Sequence, residues 1–137
     1  MPSENLAITW RRIPERYRLA GSRCENCKTN YFPTRKLCPK CRRRGKIVPK
    51  QFLGKGKIYS FTEVSDGPAG FELESPYVLA IIELAEGPRL TAQVVGVCEK
   101  DVKIGDEVEM VFRKIFEDGK DGPIHYGYKF RLLKKDG

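Results

Sequence analysis

Four of the five cysteines lie in one stretch of the sequence, CENCKTNYFPTRKLCPKC, which runs from Cys24 to Cys41. They form two C-x-x-C pairs, Cys24 with Cys27 and Cys38 with Cys41, and each pair can supply two thiolates from one tight turn. Four thiolates at this spacing are typical of a closed tetrahedral zinc site, which has no open position for water and therefore stabilises a fold rather than catalysing a reaction. The alternatives are iron in a rubredoxin-like site, as in an electron carrier, and cysteines that are unpaired or form disulfides.

Lys28 and Arg42 directly follow the second cysteine of each pair, a position at which glycine often accommodates a positive φ. A non-glycine residue that adopts the left-handed conformation at this position is strained. The cost is on the order of 1 kcal/mol per residue, which metal binding can offset.

The rest of the chain contains no recognisable catalytic motif, such as H-E-x-x-H, G-x-S-x-G or a phosphate-binding loop. His125 is the only histidine and has no nucleophile motif beside it, so it is interpreted as a loop residue rather than a general base. Cys98 stands alone and is interpreted as a small buried apolar residue. The sequence therefore favours a binding or assembly role over catalysis.

The net charge of +8 is distributed unevenly along the chain. Residues 1–57 contain 16 Lys and Arg against 3 Asp and Glu, whereas residues 58–137 contain 10 against 15. The basic residues around the second cysteine pair either solvate a surface or bind phosphates of a nucleic acid or a nucleotide-bearing cofactor. Aromatic residues of the second half could stack on bases, but nucleic-acid-binding barrels usually combine stacking with positive charge. A nucleic-acid-binding protein is therefore kept as the alternative function, with nucleic acid an unlikely partner.

The order of predicted elements indicates a mainly β protein. Apolar residues of 5–19 recur at helical spacing, with Ser3 or Asn5 as the N-cap and Pro14 as an interruption, which predicts one or two short helices. The segment IVPKQFLGKGK shows little periodicity and is interpreted as a connection between modules. Beyond it, five strands separated by turn clusters predict a small antiparallel barrel of the OB-fold type. The predicted domains are a helical segment at 1–22, a zinc ribbon at 23–50 and an OB-fold at 51–137.

The length of 137 residues suits one core with a small satellite module. The longest apolar run, YVLAII, is far shorter than the roughly 20 residues of a membrane-spanning helix, so no membrane partner is expected. The first residues also lack the apolar segment of a secretory signal. A cytoplasmic location follows, and in that compartment paired cysteines more often bind metal than form disulfides.

Five ordered motifs resemble a known family over nearly the whole chain: YRLAGSRCENCKTNYFPTRKLCPKC, GKGKIYSFTEV, SPYVLAIIELAEGPRLTAQVVG, KIGDEVEMVF and YGYKFR. In order and spacing they are similar to the zinc-ribbon and OB-fold proteins associated with acyl-CoA enzymes, long catalogued as a domain of unknown function. The resemblance implies short helices, a rubredoxin-like zinc ribbon and a five-stranded OB-fold, with no catalysis by the chain itself. The residues at Lys28 and Arg42 depart from the usual glycines of the family but leave all four ligands in place.

Within the family, the chain looks most like the archaeal subunits that join acetoacetyl-CoA thiolase to hydroxymethylglutaryl-CoA (HMG-CoA) synthase in the mevalonate pathway. This likeness implies a hetero-oligomeric scaffold, although other branches of the family serve hydratases and aldolases. The FPTR motif, with Phe32, Pro33 and Arg35, either contacts CoA bound to a partner enzyme or packs the ribbon. Trp10, on an apolar helical face, packs on its own domain or anchors a partner.

Overall fold

The computed structural model describes residues 5–69, 71–117 and 119–133. It begins with two short helices, α1 (Leu6–Arg11) and α2 (Ile13–Arg18). The Asn5 side chain caps α1 by accepting a hydrogen bond from the Ala7 N–H at 2.9 Å, while Ser3 lies outside the described residues. Pro14 occupies the first turn of α2, where its missing N–H costs nothing. The predicted pair of short helices is confirmed.

A three-stranded antiparallel sheet follows the helices. It consists of β1 (Ala20–Cys24), β2 (Asn30–Tyr31) and β3 (Ile47–Gln51) in the order β2-β1-β3. Strand β3 corrects the expectation that this segment is only a connection, because it pairs with the full length of β1. Its Pro49 is tolerated because β3 is an edge strand of the sheet.

Beyond β3, the described residues form a closed five-stranded barrel, as predicted. Its strands follow the order β4-β5-β6-β8-β7, and β6 and β8 are the parallel pair that closes it. A short 3-10 helix at Glu99–Asp101 connects β6 to β7. The strands are β4 (Lys55–Val64), β5 (Tyr77–Leu84), β6 (Arg89–Val95), β7 (Glu107–Glu117) and β8 (Ile124–Leu132).

The core fills the barrel and continues towards the three-stranded sheet. Alternate residues of β5 point inward, so that Val78, Ala80, Ile82 and Leu84 are all buried. Leu19, which precedes β1, and Phe52, which follows β3, lie at the same end of the three-stranded sheet and belong to the same apolar cluster. The sheet and the barrel therefore share one core.

Further contacts join the three-stranded sheet to the barrel, and two of them are hydrogen bonds at the β5–β6 turn. The backbone carbonyl of Glu86 accepts a hydrogen bond from the Asn30 side chain at 2.9 Å, and its carboxylate accepts one from the Leu53 N–H at 2.8 Å. The Phe32 ring lies edge-on to Tyr128 of β8, with ring centroids 5.8 Å apart. The turn of one hairpin thus holds the ribbon against the barrel.

None of the helices in the described part of the chain has the length and apolar character needed to cross a membrane.

Candidate functional site

The two cysteine pairs meet in one cluster beside the small sheet. Cys24 ends β1, and Cys27 lies in the turn that follows it. The four Sγ atoms of Cys24, Cys27, Cys38 and Cys41 all lie within 4.8 Å of one another. Cys24 and Cys38 are buried, whereas Cys27 and Cys41 are partly exposed. Four thiol donors with no other ligand type match the donor set of a tetrahedral zinc or iron ion.

Both turns keep the backbone conformation for which glycine is usual, although neither has a glycine there. Lys28 has a φ of 59° and Arg42 a φ of 52°, so both lie in the left-handed region. Gly45 packs tightly behind the second turn, because a Cβ there would lie 2.8 Å from the Cβ of Cys38. These turns bring the two thiols of each pair close together.

Contacts with the sulfur atoms shift the pKa values of the thiols in this cluster in opposite directions. The Tyr31 hydroxyl lies 3.4 Å from Cys38 Sγ, and this contact lowers the pKa of Cys38 to about 6. The same contact raises the pKa of Tyr31 to about 12, so the phenol remains the donor. The Asn26 side chain donates a hydrogen bond to Cys41 Sγ at 3.1 Å, which lowers the pKa of Cys41, but burial and contacts with the other three thiols raise it to about 11 overall. Such donors to a ligand sulfur orient it and stabilise its negative charge.

A basic surface surrounds the second cysteine pair. Arg42, Arg43 and Arg44 line a shallow depression together with Leu37, which is 60% exposed. Lys46, by contrast, forms an exposed ion pair with Glu25 at 3.3 Å. The arginines are suited to meeting an anionic surface.

The FPTR motif divides between two environments. Phe32 and Pro33 line a groove between the ribbon and the barrel, and the Phe32 ring also packs against Phe52. Arg35 is not among the residues that line this groove. Its guanidinium lies 5.6 Å from the centroid of the Tyr31 ring, and its backbone N–H donates to Ser22 Oγ at 3.0 Å.

The cation in that groove is Arg89, which sequence reasoning missed. Its guanidinium stacks over the Tyr59 ring at 3.8 Å from the centroid, and its Nε donates to Glu83 at 2.9 Å. Only cross-strand geometry brings these residues together, because they lie on different strands of the barrel.

Trp10 lies on α1 with 76% of its surface exposed, and Leu6, one turn earlier on the same side of the helix, is also exposed. A further group of aromatic side chains joins α2 to the barrel. Tyr17 meets Phe112 edge-on at 5.0 Å, and Phe112 stacks on Tyr126 at 5.3 Å.

Two expectations about single residues are wrong. His125 is not in a loop: it lies within β8, is 5% exposed, and stacks on Phe116 with centroids 4.3 Å apart. Cys98 is not buried but exposed, because it lies in the connection after β6 rather than in the strand. Lys129, which carried no signal in the sequence, is buried on β8 and pairs with Glu74 at 3.1 Å.

Comparison with protein-family models matches both parts of the chain. Residues 11–46 match the rubredoxin-like zinc ribbon domain of ChsH2, and residues 50–113 match the C-terminal OB-fold domain of ChsH2. The zinc ribbon and the OB-fold predicted from the sequence are thereby confirmed.

Relatives and solved structures resemble the chain over most of its length. A DUF35 domain-containing scaffold protein of Methanocaldococcus jannaschii is 54% identical over 92% of this chain and 89% of the relative. The benzoylsuccinyl-CoA thiolase subunit BbsA of Geobacter metallireducens is 33% identical over 84% of this chain and 75% of the relative. A chain of the solved Ltp2-ChsH2(DUF35) aldolase is 30% identical with a TM-score of 0.69, covering 96% of this chain and 98% of that chain.

Proposed function

Because the chain belongs to the DUF35 family of zinc-ribbon and OB-fold scaffold proteins, we propose that it is a non-catalytic scaffold subunit that joins acetoacetyl-CoA thiolase to HMG-CoA synthase. The observation that carries the proposal is the 54% identity to a scaffold protein over about nine-tenths of both chains. The named relatives include a thiolase subunit, which supports an acyl-CoA enzyme as the partner. The cytoplasm, where such soluble enzymes work, is the proposed location.

The proposed contribution of the chain to catalysis is geometric. Condensation of two acetyl-CoA molecules is unfavourable, and a scaffold that holds two active sites together lets the second reaction consume the intermediate of the first. The chain would act through three units: the helical segment at 1–22, the ribbon at 23–50 and the barrel at 51–137. The helices and the ribbon would meet the partners, and the barrel would support them.

We also propose that Cys24, Cys27, Cys38 and Cys41 hold one structural zinc ion. The support is the proximity of their four Sγ atoms and the match to a zinc ribbon domain. Zinc would fix the two turns relative to each other and so keep the arginines of the second turn on a rigid surface.

The surface around Trp10 is the proposed partner-docking site. An exposed Trp with Leu6 on the same side of the helix offers apolar area that loses water on association, and aromatic anchors of this kind dominate many interfaces. The nearby basic ribbon would orient the encounter electrostatically.

The FPTR motif is the proposed point of contact with CoA held by a partner enzyme. Phe32 and Pro33 would offer an apolar wall, Arg35 a cation on the ribbon, and Arg89 a second cation in the groove. Guanidinium groups bind phosphate in a planar, bidentate manner, which suits the phosphates of CoA.

The test is co-expression of the chain with a thiolase and an HMG-CoA synthase from the same organism, followed by affinity purification and size-exclusion chromatography. We expect the tagged chain to elute with both enzymes in one peak. A second variant, in which Arg42, Arg43 and Arg44 are replaced by Glu, tests the basic surface. It should reduce the yield of complex relative to the native chain without unfolding the chain. Elution of the tagged chain alone, with both enzymes soluble and folded, would refute the proposal for these partners.

A further inference from the structure

We propose that the barrel contains a binding site for a small, uncharged, planar aromatic molecule with one hydrogen-bonding group, in the cavity beside His125. This site is separate from the cysteine cluster, and the proposal does not depend on the scaffold role or on any partner enzyme.

The cavity exists because β6 and β8 pair over only a short length. Their parallel pairing consists of Val94 with Phe130 and Val95 with Arg131. The residues that precede these pairs on both strands line a cavity of about 400 Å³, a volume within the range of small-molecule sites. Five of the lining residues are Phe or Tyr, two of them on β8: Phe71, Tyr77, Phe116, Tyr126 and Tyr128.

His125 provides the polar group of the cavity. His125 is only 5% exposed, and neither of its ring nitrogens has a hydrogen-bond partner among the described residues. A buried polar group without a partner costs about 1 to 3 kcal/mol, and such groups are rare in native structures. A neutral imidazole has one donor and one acceptor nitrogen, so a ligand hydroxyl or amide can satisfy either of them.

The charges around the cavity select an uncharged ligand. Two cations line the cavity: the Lys129 ammonium, which is already paired with the Glu74 carboxylate at 3.1 Å, and Arg16 of α2, which also has an interaction partner of its own. An anionic ligand would have to compete with these existing partners, and a cationic ligand would be buried close to both cations. Neither charged class therefore fits as well as a neutral molecule.

The shape of the wall favours a planar ligand. The His125 and Phe116 rings stack with an angle of 12° between their planes, which gives this side of the cavity a flat surface. Aromatic rings prefer offset stacking or edge-to-face contact with such surfaces, and these contacts add to the gain from burial.

The experiment titrates the isotope-labelled full chain with four probes at pH 8 and follows its NMR spectra. Phenol and benzamide combine a planar ring with a neutral polar group, toluene lacks the polar group, and benzoate is anionic. We expect phenol or benzamide to shift the ring signals of His125 and Phe116 and to bind about tenfold more tightly than toluene or benzoate. Absence of shifts at the cavity with all four probes, or equal affinity for benzoate, would overturn the proposal.

Variants then test the role of His125 directly. His125→Phe should weaken phenol binding roughly tenfold, as expected for one buried hydrogen bond, and leave toluene binding unchanged. His125→Gln, which retains a donor and an acceptor, should recover part of the loss. If His125→Phe binds phenol as the native chain does, the inference is wrong.

A second pair of variants keeps the test decisive if substitution of His125 impairs folding. Thr91→Phe introduces a large ring at an exposed position that lines the cavity, so it should abolish phenol binding. Thr62→Phe is the matched control, because Thr62 is an exposed strand residue that does not line the cavity. Circular dichroism confirms that both fold. Equal binding by the two variants would also refute the site.

Discussion

Replacement of Trp10 by Ala separates a docking role from a structural role. Three-quarters of the Trp10 surface is exposed, and the helix that carries it contains no buried residue. We therefore expect Trp10→Ala to change the free energy of unfolding by no more than about 0.5 kcal/mol, as is usual for surface substitutions. Its effect should appear in assembly with the partner enzymes.

The size of that effect follows from the exposed area. A Trp side chain buries roughly 200 Å² when fully enclosed, so about 150 Å² of Trp10 remains for a partner to cover. At about 25 cal/mol per Å² the gain is at most about 4 kcal/mol, and loss of side-chain freedom reduces it. We expect Trp10→Ala to weaken assembly by about 1 to 3 kcal/mol, which is roughly a 5- to 150-fold increase in Kd.

The assay is biolayer interferometry with immobilised chain and the partner enzymes in solution, together with thermal unfolding of the chain alone. Ile104→Ala is the matched control, because Ile104 is 70% exposed and lies in the connection before β7. The control should bind like the native chain. A Kd for Trp10→Ala within twofold of the native value, or a large loss of thermal stability, would refute the reasoning.

The remaining predictions concern the metal, the packing and the basic surface. Metal analysis should find about one zinc ion per chain, and Cys38→Ser should lower both the zinc content and the stability; protein purified without chelator that contains neither zinc nor iron would contradict this. Gly21→Ala should destabilise the fold by about 1 to 3 kcal/mol or more in chemical unfolding, because the new Cβ would lie 2.5 Å from the Tyr31 carbonyl oxygen. Gly87→Ala, where a Cβ has free space but φ is 110°, should show only backbone strain; equal losses in the two variants would disprove the steric explanation. Binding to RNA or single-stranded DNA should be weak, salt-sensitive and independent of sequence in fluorescence anisotropy, and sub-micromolar affinity near physiological salt would instead favour a nucleic-acid-binding function.

The features that could be predicted from the sequence are those set by neighbouring residues. Each cysteine pair forms within one turn, so its spacing alone identifies it, and the left-handed Lys28 and Arg42 follow from the same local geometry. The barrel strands carry their own alternation of buried and exposed residues, as in β5. Local patterns of this kind need no knowledge of the partner strands.

The features that could not be predicted depend on distant residues. Strand β3 contains a proline and no clear alternation, and only its pairing with β1 makes it a strand. Burial of His125 requires Phe116 on the opposite strand, next to a register shift between Lys114 and Phe116. The groove cation Arg89 and its partner Tyr59 also come from different strands. Contacts between strands cannot be predicted from the residues that are neighbours in the sequence.

The order in which strands pair has a consequence for how the chain folds. Strand β2 meets β1 through a short turn, with Ser22 opposite Tyr31, whereas barrel closure must bring Lys55 on β4 to Glu109 on β7. The entropic cost of closing a loop rises with its length, so the turns that hold the cysteines should form well before the barrel closes. During synthesis the ribbon also leaves the ribosome first. We therefore expect the cysteine turns to be competent for zinc while β7 and β8 are still being made, so that the ribbon provides a folded edge on which the barrel is completed.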